Sequence, residues 1–198
     1  MGKIKSAWEI ALERTEGIQM DKDKIKYKAD VDSARRAAGR FVSDDEPINE
    51  KELRDSLSSL DRKAVKEALI VTAEANLSLP QSEDSDNTRL EKAKTLIAIA
   101  TDNNPEAIGL SEELEAFLKQ YPLHRKDLLE KMKAQYKPIL DEKSEKLSKQ
   151  YGTEVHLSYE NDKEFMEAAR QNLERLEAQY QATLTNAKKQ LASIAGIQ

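Results

Sequence analysis

Two apolar stripes in the last third of the chain leave few folds open. Leu129, Met132, Tyr136, Leu140, Lys143, Leu147 and Tyr151 recur at steps of three or four residues, and Phe165, Ala169, Leu173, Leu176, Tyr180, Leu184 and Ala187 do the same. Side chains at that interval share one face of an α-helix. Two such helices joined by a short connection bury their stripes against each other, so the segment reads as an antiparallel hairpin. The steps of one arm reverse those of the other, which predicts a register with Tyr151 on Phe165, Leu147 on Ala169, Lys143 against Leu173, Leu140 on Leu176, Tyr136 on Tyr180, Met132 on Leu184 and Leu129 on Ala187. The residue numbers in each of these layers sum to 316. The mean spacing is near 3.6 residues, so coiled-coil-like pairing with little left-handed supercoil is expected.

The arms are expected at about 122–151 and 162–194, each about 45 Å long at about 1.5 Å per residue. Pro138 removes a backbone hydrogen bond and predicts a kink. Gly152 is a natural helix stop, and Asn161 or Asp162 a natural restart. Between them, Thr153 to Tyr159 alternates so that Val155, Leu157 and Tyr159 would share one face of an extended, strand-like tip. An unpaired strand offers its edge to a partner, which makes those three residues the candidate partner-binding site; a tip folded back on its own hairpin is the alternative.

Upstream, the pattern is helical as well. Ser6 with Glu9 forms a capping-box pattern for a first helix that Gly17 would end, with Trp8 anchoring it. A basic helix follows from Lys22 to Phe41. Asn49 with Glu52 opens a helix carrying Leu53, Leu57, Leu60, Ala64, Ala68, Val71, Ala75 and Leu79, closed by Pro80. Further helices are expected over about 88–100 and from Ser111 to Tyr121-Pro122. The fold class is therefore all-α: a helical body over 1–120 and the hairpin over 121–198, its tip at 152–161.

Charge and composition narrow the function. The net charge of -5 is uneven: residues 1–41 carry +3, 42–120 carry -9, 121–151 carry +3, 152–161 carry -2, and 162–198 balance. The absence of Cys removes disulfides and thiolate metal sites and fits a reducing cytoplasm. The longest uncharged apolar run, 95–101, is far below the roughly 20 residues of a bilayer span, so a soluble protein without membrane attachment is expected. His124 and His156 stand at opposite ends of the first arm and do not converge on a metal. Asp84-Ser85-Asp86 lacks both the Gly and the Glu of a calcium loop, with Arg89 and Thr95 in their places, and Asp102-Asn103-Asn104 has Ala107 in place of the Gly. No Gly-rich phosphate loop or nucleophile elbow is present, so no cofactor, metal or catalytic residue is expected.

The opening Ile4-Lys5-Ser6-Ala7-Trp8-Glu9-Ile10-Ala11-Leu12-Glu13-Arg14-Thr15-Glu16 resembles the start of a group of small uncharacterised bacterial proteins. The resemblance implies a bacterial cytoplasmic origin and brings no activity or functional residue. What remains is binding: a non-enzymatic interaction or scaffold protein, engaging a protein partner or its own copy through the hairpin and its tip. The rival is a factor for nucleic acid or a ribonucleoprotein, using basic faces at Lys22, Lys24, Lys26, Lys28, Arg35, Arg36 and Arg40, or at Lys131, Lys133, Lys137, Lys143, Lys146 and Lys149.

Overall fold

The computed structural model describes the backbone of residues 7–82 and 88–197, and the side chains of 22–82 and 88–197. It is all-α, as expected. The described residues form α1 (Ala7–Val42), α2 (Glu50–Leu57), α3 (Arg62–Asn76), α4 (Thr88–Ala100), α5 (Pro105–Tyr151) and α6 (Lys163–Ile194), with a single 3₁₀ turn at Tyr159–Asn161. They divide into two compact units: 1–77 with 87–111 and 190–198, and 78–86 with 112–189.

The first unit is built around α3, which packs on α1 and α4. Being covered on two sides, α3 buries a broad face of Ala64, Val65, Ala68, Leu69, Ile70 and Ala73. From α1 come Val31, Ala34, Ala37, Ala38 and Phe41, and from α4 Leu90, Ala93, Leu96, Ile97 and Ala100. The small residues of α1, a weak stripe by hydrophobicity, are what allow its close approach.

Three expected helices differ here. Gly17 does not stop the first helix, since α1 runs unbroken through it; a glycine inside a helix costs about 1 kcal/mol relative to alanine without terminating it. The capping residue Ser6 and the side chain of Trp8 lie outside the described residues. The helix expected from Asn49 to Leu79 is two helices. Asn49 and Glu52 form the capping box (Glu52 N–H to Asn49 Oδ1, 2.9 Å; Asn49 N–H to Glu52 Oε2, 2.9 Å). A second cap then interrupts: Asp61 Oδ1 accepts the amides of Lys63 at 2.9 Å and Ala64 at 3.0 Å, and opens α3. Across this break the buried stripe changes phase, so Val71 is exposed while Leu69, Ile70 and Leu77 are buried. Finally, α5 does not begin at Ser111 or end at Tyr121. It starts at Pro105, with Asn104 Oδ1 accepting the Glu106 amide at 2.8 Å, and continues through both Pro122 and Pro138. Each proline forfeits one helical hydrogen bond, and burial of Leu118 and Tyr121 just before Pro122 holds the helix together there.

In the second unit, α5 and α6 run antiparallel as a hairpin, but the register is not the expected one. Tyr121 meets Tyr180 edge-on with ring centroids 5.1 Å apart, and Tyr136 meets Phe165 at 5.3 Å. The residue numbers in both contacts sum to 301 rather than 316, a slip of about four helical turns. Stripes with a near-3.6 period face each other at any whole-turn offset, so the stripes alone do not choose among registers. The choice is made by specific contacts at the closed end.

Candidate functional site

The closed end of the hairpin brings together most of the polar chemistry of this unit. Asp162 is the N-cap of α6: its Oδ1 accepts the Phe165 amide at 2.9 Å, which satisfies a free donor at the helix start. The same oxygen accepts the Tyr136 hydroxyl at 2.9 Å. Lys143, the one cation inside the first apolar stripe, donates to Asp162 Oδ2, Glu164 Oε2 and the Tyr136 hydroxyl oxygen, each at 2.7 Å. The Asp162 side chain is 4% exposed, so a charged lysine and two further donors surround a carboxylate with little access to water.

The electrostatics follow from that arrangement. The Lys143 ammonium, followed by the Phe165 amide and the Tyr136 hydroxyl, pulls the Asp162 carboxyl down from 3.8 to about 2 against its desolvation. Its hydrogen bonds to Asp162, Glu164 and Tyr136 push Lys143 well above the ordinary lysine range. The Tyr136 hydroxyl is raised: the Lys143 hydrogen bond lowers it, and desolvation with the hydrogen bond to Asp162 outweighs that. All three groups are driven away from neutral pH in their ordinary charge states. A general base or acid needs the opposite, a pKa brought toward the working pH. The cluster is a lock between α5 and α6.

The tip folds back on α5. Ser148 Oγ accepts the Val155 amide at 2.8 Å and Ser144 Oγ accepts the Leu157 amide at 3.1 Å, while the Tyr159 hydroxyl donates to the Lys133 carbonyl at 3.1 Å. The Tyr159 ring lies 4.9 Å from Phe165, with Lys133 Nζ 5.4 Å above it. Residues 153–158 are therefore not a strand: serine hydroxyls on a helix take the place of a ladder, and no strand occurs among the described residues. Val155 and Leu157 are half-buried between exposed Glu154 and His156, and the alternation ends at Ser158, which is half-buried like Tyr159. This return of the chain along the last turns of α5 is what sets α6 back and produces the register.

A second aromatic cluster holds the hairpin further along. Tyr180, almost fully buried, stacks on Phe117 at 4.5 Å and lies edge-on to Tyr121 and His124, with its hydroxyl bonded to His124 Nδ1. His156 is exposed and pairs only with Glu154, 3.2 Å away, among the contacts described. The two histidines do not meet, and no group of three or more potential metal ligands occurs among the described residues. Of the two acidic segments that fall short of a calcium loop, 84–87 lies outside the described residues, and Asp102 is an ion-pair partner of Arg62 and of Lys66, the latter at 3.3 Å. Also among the described residues, no helix is long and apolar enough to cross a membrane.

The sequence places Lys143 in the stripe and Asp162 at a helix start without joining them, and its pattern does not single out Ser144, Ser148 or Phe117. The available signal was Lys143 itself, a cation in an apolar stripe that required a buried anion.

A family model covers residues 51–193, most of the chain, and includes the whole of α3, α4 and α5 together with the lock. The chain belongs to the Family of unknown function (DUF6657). The segment 4–16 that resembles uncharacterised bacterial proteins lies outside the DUF6657 match, as does all of α1. No curated protein and no solved structure matches the chain.

Proposed function

We propose that this DUF6657 protein is a non-enzymatic interaction protein whose hairpin, over 121–198, presents its closed end to a protein partner or a second copy. One observation carries the reading. In the closed half of the hairpin most of the charges pair with one another, and three large apolar side chains stand exposed among them: Ile139 at 45% exposed, Met166 at 48% and Tyr151 at 66%. Burying such side chains is what drives protein association. Val155, Leu157 and Tyr159, half-buried where the tip lies on α5, belong to the same end of the hairpin. A Cys-free sequence and the resemblance of 4–16 support a bacterial cytoplasmic setting.

The basic segment of α5 lends little to the nucleic-acid reading. Lys131 pairs with Asp127 at 2.7 Å, Lys137 with Asp141 at 3.3 Å, Lys146 with Glu142 at 2.6 Å and Lys149 with Glu145 at 3.4 Å. Lys133 approaches Glu160 at 4.0 Å, and Lys143 is held in the lock. Cations already neutralised release few counterions from a phosphate backbone.

The test is a combined Ile139→Ser, Tyr151→Ser and Met166→Ser variant compared with the unaltered protein by affinity capture and sedimentation velocity. These surface changes are expected to preserve the fold and abolish association with the partner or copy. A partner retained equally by both proteins overturns the proposal.

A further inference from the structure

The cations of α1 differ from those of α5. Residues 22–42 hold seven Lys and Arg against three Asp, in a chain of net charge -5. Lys22, Lys26, Ala29, Ser33, Arg36 and Arg40 follow one another at steps of four, three, four, three and four, so they form one row along the helix. The four cations and Ala29 are exposed, and Ser33 is half-buried. The opposite face, with Val31, Ala34, Ala38 and Phe41, is in the core, which fixes the row outward.

Two carboxylates near the row have partners elsewhere. Asp30 Oδ2 accepts the Asp61 amide at 3.2 Å, and Asp44 pairs with Arg89 at 3.3 Å. Arg36 donates to the Ser33 hydroxyl at 3.2 Å, and Ser33 in turn to the Ala29 carbonyl at 2.8 Å. The row contains no carboxylate. It spans about 27 Å, at about 1.5 Å per residue.

We infer that this face of α1 binds nucleic acid through its phosphate backbone. A chain of regularly spaced negative charges engages two cation pairs, Lys22 with Lys26 and Arg36 with Arg40, whatever its exact register. The small residues Ala29 and Ser33 between the pairs let it lie close along the helix. An anionic membrane fits less well: surface adsorption requires an apolar face beside the cations, and over the described side chains of α1, 22–42, the apolar face is in the core, leaving Ile25 as the large exposed apolar residue there. The inference is independent of the hairpin proposal and uses no residue from it.

The probe is a fluorescein-labelled oligonucleotide of about 20 residues, single-stranded or duplex, titrated with the full chain and read by anisotropy. Binding in low salt is expected, and with four phosphate contacts on a duplex it weakens about a hundredfold between 50 and 200 mM salt. Lys22→Gln with Lys26→Gln, at exposed helix positions that Gln tolerates, is expected to cut the slope of log affinity against log salt by about half. Adding Arg36→Gln and Arg40→Gln is expected to abolish binding. As a control, Lys146→Gln with Lys149→Gln removes as much charge from α5 and leaves binding unchanged. No binding at 50 mM salt overturns the inference. So does an equal loss in the α5 control, or capture by phosphatidylserine vesicles with no oligonucleotide binding.

Discussion

Lys143 Nζ lies 2.7 Å from Asp162 Oδ2, and through that contact the second helix of the hairpin is fixed to the first. Asp162 both caps α6 and anchors it, so the start of the helix and its register are set by one side chain.

Lys143→Met leaves the Asp162 carboxylate with little water and no cation. Unfolding in urea is expected to show a lower midpoint than for the unaltered protein, because removing one partner leaves the other charge uncompensated. Combining Lys143→Met with Asp162→Ser keeps an apolar stem and a capping hydroxyl, and most of the loss is expected to be recovered.

The lock also makes stability depend on pH in acid. The carboxyl of Asp162 sits at about 2 in the folded protein against an ordinary 3.8. A depressed folded pKa stabilises the fold fully above the unfolded value and loses that contribution as the pH falls toward the folded one. The thermal midpoint is therefore expected to drop between pH 4 and pH 2, and the Asp162→Asn variant to show a shallower drop over the same window.

Ser144 and Ser148 hold the tip by accepting the amides of Leu157 and Val155. Replacing both serines with alanine removes the acceptors while preserving helix propensity. Hydrogen exchange at the Val155 and Leu157 amides is expected to accelerate well above that of α6 amides such as that of Leu184.

The register is tested by coupling between rings. A double-mutant cycle of Tyr136→Ala and Phe165→Ala is expected to show an interaction of about 1 kcal/mol, and one of Tyr136→Ala and Tyr180→Ala close to none. The reverse result returns the hairpin to the 316 register.

How much of this was legible in the sequence depends on how local the cause is. The capping box at Asn49 and Glu52 and the stop at Gly152, whose φ of 67° is open to glycine, involve neighbours in the chain and could be read directly. The break at Asp61 was hidden because an apolar stripe continued across it. Pro122 inside α5 was hidden because propensity favours an end there, and tertiary burial prevails. The register escaped because the periodic pattern is degenerate, and what resolves it is a long-range pair, Lys143 with Asp162, together with serines that look like ordinary surface residues. The alternation of the tip holds from Glu154 to Leu157 and is lost at half-buried Ser158, and the ladder it suggested is replaced by side-chain acceptors.

The measurement that bears most directly on the proposed function is site-specific photocrosslinking in cells that make the protein. A photoreactive residue placed at Ile139, Tyr151 or Met166 is expected to give a discrete adduct, and the same residue at the exposed positions Glu142 and Glu174 to give none. Absence of adducts at all five positions, or equal adducts at all five, contradicts the account of the hairpin as a presenting surface.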